Sequence, residues 1–167
     1  RLRGPVAIIG LSSAVPRAPM LASGELGKPQ RMALHALLTH DEVRERTPVI
    51  LQHHPWHQPA KAHRRVTQGL SDYRQEHEVL QGVAAGLLLH GHLHMRIHRR
   101  IETQRGHIDA VGSTSASLLD DDGNRVSGFN LYTIDDGGRI AGIEAFRYRP
   151  ADRRFEPAAI PLIEGLV

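Results

Sequence analysis

The chain alternates short runs that are apolar throughout with longer segments whose apolar residues recur at helical spacing. The apolar runs are Val6-Ala7-Ile8-Ile9-Gly10-Leu11, Thr47-Pro48-Val49-Ile50-Leu51 and Gly86-Leu87-Leu88-Leu89. Short runs of this kind, apolar throughout and alternating with helical patterns, read as strands buried on both faces. After the first run, a loop from Ser12 to Gly27, broken by prolines and glycines, leads into a helix. Pro29 lies near that helix's first turn, where a missing N–H does no harm, and Ala33, Leu34, Leu37 and Leu38 make its apolar stripe. Leu70, Tyr73, His77 and Leu80 share one face of a second helix. Strands alternating with helices predict an α/β sheet covered on its faces by helices.

After His94 the period changes. Met95 to Glu102, Gly106 to Val111, Gly128 to Ile134 and Arg139 to Tyr148 read as successive strands of a C-terminal β-meander. Turns are expected at Asp121-Asp122-Gly123-Asn124 and Asp135-Asp136-Gly137-Gly138. Aspartate followed by glycine is hairpin chemistry, and the ligand spacing of an EF-hand is absent. The expected fold class is therefore α/β, with mixed sheets and a C-terminal β-meander. With 167 residues, 40% of them apolar, one domain over 1–167 has a sufficient core and two have no support.

Composition changes this picture in three places. The absence of cysteine excludes disulfides and thiolate metal sites, leaving imidazole and carboxylate as metal ligands. The apolar runs fall far short of the roughly 20 residues that span a bilayer, so no membrane partner is expected. The chain begins at Arg1 without a methionine, and a cytoplasmic location is the default expectation. The net charge of +3 rests on arginines scattered in pairs such as Arg64-Arg65, Arg99-Arg100 and Arg153-Arg154. That is the pattern of a solvated surface more than of a nucleic-acid stripe, although a mildly basic face suits an anionic substrate.

Histidine is the outlier, with 12 in the chain and most of them between His53 and His107. Two clusters stand at the ends of predicted strands: Gln52-His53-His54-Pro55 after the second and His90-Gly91-His92-Leu93-His94 after the third. Ligands of open α/β sheets bind beyond the carboxyl ends of the strands. In an extended segment His92 and His94 face one side, and Gly91 allows the turn that lets both imidazoles converge. A His-x-His on a strand is also common without metal. The second cluster raises the case, because adjacent parallel strands lie about 5 Å apart and bring the two within reach of one centre.

With these motifs, Val49-Ile50-Leu51-Gln52-His53-His54-Pro55 and Leu89-His90-Gly91-His92-Leu93-His94, followed by Ile108-Asp109-Ala110-Val111-Gly112-Ser113-Thr114-Ser115, the chain resembles the calcineurin-like metallophosphoesterases. The likeness is to the branch of cyclic-nucleotide and glycerophosphodiester phosphodiesterases and runs from Val6 to about Ile134. It implies part of an αββα sandwich carrying a dinuclear site of divalent transition metals (Mn, Fe or Zn), two per complete site. It implies that His53 and His92 bind one metal and His94 the other. His54, the catalytic candidate, stands behind the ligands or faces substrate, and His53 and His54 can exchange these roles on sequence alone.

The family's Asp-x-His, Gly-Asp-x-x-Asp and Gly-Asn-His-Asp motifs are not in this chain, and the likeness implies that they lie before Arg1. The chain is then the C-terminal portion of the domain, inactive alone, whose parent is a phosphodiester or phosphomonoester hydrolase. The expected substrate is a phosphoester small molecule, a cyclic nucleotide among the candidates. An exposed sheet edge and apolar face would favour homo-oligomers. The rival is a non-catalytic metal- or nucleic-acid-binding module. Of the remaining residues, His90 reads as a structural histidine, Trp56 and His57 as packing or a pocket wall, and Gly112 to Ser115 as a strand exit rather than a phosphate cradle. Ser12-Ser13 lacks the nucleophile elbow of a serine hydrolase.

Overall fold

The computed structural model describes residues 1–57 and 62–163. Its elements are β1 (Leu2–Arg3), β2 (Val6–Gly10), α1 (Gly27–Thr39), α2 (Asp41–Arg44), β3 (Thr47–Gln52), α3 (Ala62–Gln68), α4 (Tyr73–Leu80), β4 (Ala85–His90), β5 (Ile97–Thr103), β6 (Gly106–Gly112), β7 (Gly128–Ile134), β8 (Ile140–Arg149) and β9 (Arg154–Ala158). The first six strands form one mixed sheet in the order β1-β2-β3-β4-β6-β5, and the last three form an antiparallel sheet. The mixed α/β class with a C-terminal meander is as expected.

All three apolar runs became adjacent parallel strands, β2 with β3 and β3 with β4. Their register sets Ile9 beside Ile50, Ile50 beside Leu88 and Leu88 beside Ala110 of β6, a row of side chains across four parallel strands. That row packs with Leu34 of α1, Val43 of α2 and Leu80 of α4 in the main core. Each aliphatic side chain fully buried there contributes about 1.5–3 kcal/mol. On the opposite face, one residue out of phase, Leu51 is exposed and Ile8, Val49 and Leu89 are half-buried.

Several elements depart from expectation. The strands expected as the first two of the meander, β5 and β6, return to the main sheet instead: β6 lies parallel to β4, and β5 is the antiparallel edge. Only β7, β8 and β9 form the meander. Asp135 to Gly138 is the expected hairpin turn between β7 and β8, with Gly138 at φ 84°. Asp121 to Asn124 lies within the long connection between β6 and β7 and joins no paired strands. There Asp120 and Asp122 carboxylates accept backbone N–H groups two residues on, local bonds that offer an alternative to strand pairing. The helices α2 and α3 and the edge strands β1 and β9 add to the expected elements. The proline of the expected loop after His57 falls in 58–61, outside the described residues.

On α1 the buried face is narrower than its apolar stripe: Leu34 is buried, Leu38 packs on the core, and Ala33 and Leu37 are exposed. The start of α1 is held by Asp72, which precedes α4. Its carboxylate accepts the N–H groups of Leu26 and Gly27 at 3.0 and 2.9 Å and pairs with Arg31. An anion at a helix N-terminus satisfies otherwise orphaned donors. No helix among the described residues is long and apolar enough to cross a membrane.

Candidate metal centre

Because β3 and β4 are adjacent and parallel, with Gln52 in register with His90, the two histidine motifs leave the sheet side by side. The Gly91 N–H donates to the His53 carbonyl at 3.1 Å and ties the two exits together. His53, His54 and His92 form a group whose ligand atoms lie within 4.8 Å of one another, so three histidines lie close enough to hold a metal ion.

His92 Nε2 stands 2.8 Å from the carbonyl of Thr67, near the end of α3. A carbonyl only accepts, so Nε2 carries the hydrogen and Nδ1 of the neutral ring presents a lone pair. That Nδ1 lies 3.2 Å from His53 Nε2. Two imidazole nitrogens about 2.0–2.1 Å from one tetrahedral ion would stand about 3.4 Å apart, close to the separation observed. Burial, followed by the neighbouring His92 and His94, lowers the His53 pKa and favours the neutral form that a metal requires. Donor type, tautomer and spacing of this pair fit a divalent transition ion.

His54 is placed differently. Its side chain is buried, and both ring nitrogens are engaged by the protein: Nε2–H donates to the Ala22 carbonyl at 3.0 Å, and the Ser13 hydroxyl donates to Nδ1 at 2.9 Å. Burial, then His92, takes its pKa to about 4. A metal or a substrate would have to displace one of these bonds. The geometry therefore gives His54 a holding role, behind the ligands, for the loop that carries His53. Gly24 makes this packing possible, since a Cβ there would stand 2.3 Å from His54 Nδ1.

The His-x-His segment is not extended, as its spacing suggested. The Leu93 N–H donates to the Gly91 carbonyl at 2.7 Å, closing a three-residue turn centred on His92 at φ 61°, and His94 follows at φ 49°. The turn falls on the histidines themselves and not on Gly91. Each left-handed non-glycine residue costs about 1–2 kcal/mol, and two of them fall on candidate ligands. His94 is exposed and lies outside the three-histidine group, though near enough to His53 to lower its pKa.

The other candidates fall into place around this pair. His90 is buried, its pKa taken to about 4 chiefly by burial. Trp56 belongs to the core and packs on Tyr73 and His77. Gly112 ends β6, and Ser113 N–H donates to the His90 carbonyl at 3.0 Å, so this segment is a strand exit beside the site. Ser13, Gly24 and the Thr67 carbonyl were not legible as site components. Ser13 and Gly24 lie in the loop after β2, and nothing in their spacing points to His54. Among known proteins, no family model matches the chain and no curated protein matches it at a significant level.

Proposed function

We propose that the chain is the C-terminal part of a calcineurin-like metallophosphoesterase whose parent hydrolyses phosphodiester or phosphomonoester bonds with two divalent ions. The observation that carries this reading is the converging pair His53 Nε2 and His92 Nδ1, 3.2 Å apart at the ends of adjacent parallel strands, with His92 oriented by the Thr67 carbonyl. A ligand histidine whose second nitrogen is fixed by a carbonyl is the usual support of a metal site. His53 and His92 would hold one ion, and His94, on the same strained turn, would contribute to a second with carboxylates from the motifs this chain lacks. Neutral imidazole suits Mn, Fe or Zn and disfavours calcium. Two such ions, when bound, supply the Lewis acidity that polarises phosphoryl oxygens and acidifies water. Ser13 and the Ala22 carbonyl hold the His54 ring in place, while burial, followed by the neighbouring His92, keeps it neutral.

One observation favours a second reading for the chain on its own. Among the described residues the histidine group contains no carboxylate, as a non-catalytic metal-binding module would have it. Metal analysis with activity assays separates the two. The purified chain should hold transition metal near one per chain, lost in both His53→Ala and His92→Ala, with negligible turnover of bis-p-nitrophenyl phosphate. In the longer protein that the first reading requires, the same substitutions should abolish Mn-dependent turnover. Absence of metal from the chain, or metal unchanged in both variants, would remove the site. A longer protein that binds metal and hydrolyses nothing would leave only the binding module.

A further inference from the structure

Directly behind the histidine loop, buried polar atoms of three residues lack hydrogen-bond partners among the described residues: Gln52 Oε1, Trp56 Nε1 and both carboxyl oxygens of Glu76. Gln52 ends β3 one residue before His53, and its Nε2 donates to the His54 carbonyl at 2.9 Å. Glu76 is in the middle of α4, fully enclosed, with the Gln52 amide beside it. Trp56 packs edge-on against Tyr73 and His77 of the same helix, ring centroids 6.1 and 5.3 Å away. The cation that acts on Glu76 among the described residues, Arg31 of α1, is committed to Asp72, which also holds the start of that helix. His77, on the same helix, turns its Nε2 away to the Glu102 carbonyl.

Counting donors and acceptors fixes the protonation that this locus can accommodate. An ionised Glu76 would set three acceptor atoms against two donors, the indole N–H and the second N–H of the Gln52 amide, and would leave a buried anion without a counter-ion of its own, an arrangement that costs several kilocalories or drives neutralisation. A protonated Glu76 supplies one donor and one acceptor, giving three donors for two carbonyl oxygens, each able to accept twice. We infer that Glu76 is held as an uncharged carboxylic acid and positions the His53-His54-Pro55 loop through the amide of Gln52. Burial agrees: it pushes the Glu76 pKa up to about 8, Gln52 opposing, Asp72 adding and Arg31 opposing. Gln52, anchored on one side by the acid and on the other by the His54 carbonyl, fixes the point at which the chain turns out of β3 toward the ligands.

The loop's part in metal binding rests on the metal site proposed above; the protonation of Glu76 does not. Infrared spectra at pH 6 of the wild type and Glu76→Gln should differ by the carbonyl band of a protonated carboxylic acid, present only in the wild type. Trp56 is the chain's single tryptophan, and its emission should titrate in the wild type with a midpoint near the Glu76 pKa of about 8 and stay flat in Glu76→Gln. Glu76→Gln, which keeps a donor and a carbonyl acceptor in the same volume, should retain zinc affinity. Glu76→Leu, which keeps the volume and loses both, should lower it about tenfold or more, with circular dichroism confirming that both variants fold. No acid band, or an unchanged emission titration in Glu76→Gln, would overturn the neutral acid. Equal zinc affinity in Glu76→Leu and the wild type would overturn the positioning role. If the wild type binds no zinc, the metal reading fails, and the positioning of the loop fails with it, while the infrared result still decides the state of Glu76.

Discussion

Ser13 and His54 are joined twice: the Ser13 hydroxyl accepts the His54 backbone N–H at 3.0 Å and donates to the ring Nδ1 at 2.9 Å. One oxygen from the loop after β2 thus fixes both the backbone and the tautomer of a residue after β3. Ser13 is fully buried, and removing its hydroxyl leaves two enclosed groups unpaired. Ser13→Ala should cost about 1–3 kcal/mol, read as a lower urea midpoint with unchanged m-value. Zinc affinity should fall with it, since the His54 ring is then free to turn.

Gly24 is tied to the α3–α4 connection by its N–H to the Gly69 carbonyl and by Ser71 N–H to its own carbonyl, both at 2.9 Å. It cannot retreat from His54, whose Cβ, Cγ and Nδ1 all lie within 3 Å of where a Cβ would be. Gly24→Ala should therefore displace the His54 ring and destabilise by about 1–3 kcal/mol, as overpacking does. The His54 imidazole resonances in the NMR spectrum should move more than those of His35 or His40 on the far surface. Unmoved His54 resonances would show that the loop can yield.

The sheet was legible because its strands are short apolar runs with no competing reading, and both histidine motifs fall at strand ends by simple counting. What was not legible depends on partners distant in sequence. Whether the Ile97–Thr103 and Gly106–Gly112 hairpin joins the meander or the main sheet is decided by β4, whose free edge takes β6 in parallel register over six residue pairs. Period-two alternation carries no record of that choice. Glu76 was hidden for a related reason. A charged residue between Tyr73 and His77 on an amphipathic helix reads as surface, and only the packing of α4 in the fold, with Gln52, Asp72 and Arg31 from elsewhere in the chain around the carboxyl, makes it buried. His92 and His94 looked extended, and their left-handed backbone follows from the turn out of β4, which spacing cannot report.

Arg96, two residues beyond His94, is buried with no carboxylate partner among the described residues. Its guanidinium donates to the carbonyls of Gly123 at 2.7 Å and Val126 at 2.9 Å, with Ser127 and Phe146 at 3.4 Å, and so ties the β6–β7 connection and β8 to the exit of the histidine turn. Gly128 leaves room for it, since a Cβ there would stand 2.5 Å from its Nη2. A planar fork is needed to reach several carbonyls at once, which an ammonium cannot do. Arg96→Lys should destabilise nearly as much as Arg96→Met, each stranded carbonyl costing about 1–3 kcal/mol. Hydrogen exchange should show the loss first in residues 118–127. A lysine variant as stable as the wild type would mean that charge alone is sufficient.

The buried titratable groups predict opposite pH slopes on either side of neutrality for the metal-free protein. His57 and His90 have folded pKa values of about 4 against 6.5 for the free side chain, chiefly through burial. Between those values the unfolded chain binds more protons, so stability is full above pH 6.5 and is lost as pH falls toward 4. Glu76 runs the other way: its pKa is raised from 4.5 to about 8, so across that interval the native state binds the extra proton and stability falls as pH rises. Above about pH 8 both states are ionised and the slope ends. Urea unfolding at pH 5, 7 and 9 should show Glu76→Gln gaining on the wild type as pH increases, with the difference level beyond that point. His57→Asn should flatten the acid limb and leave the alkaline limb unchanged. A Glu76→Gln difference that is constant with pH would place the ionisation of this carboxyl outside the window and remove the basis for a neutral acid behind the histidine loop.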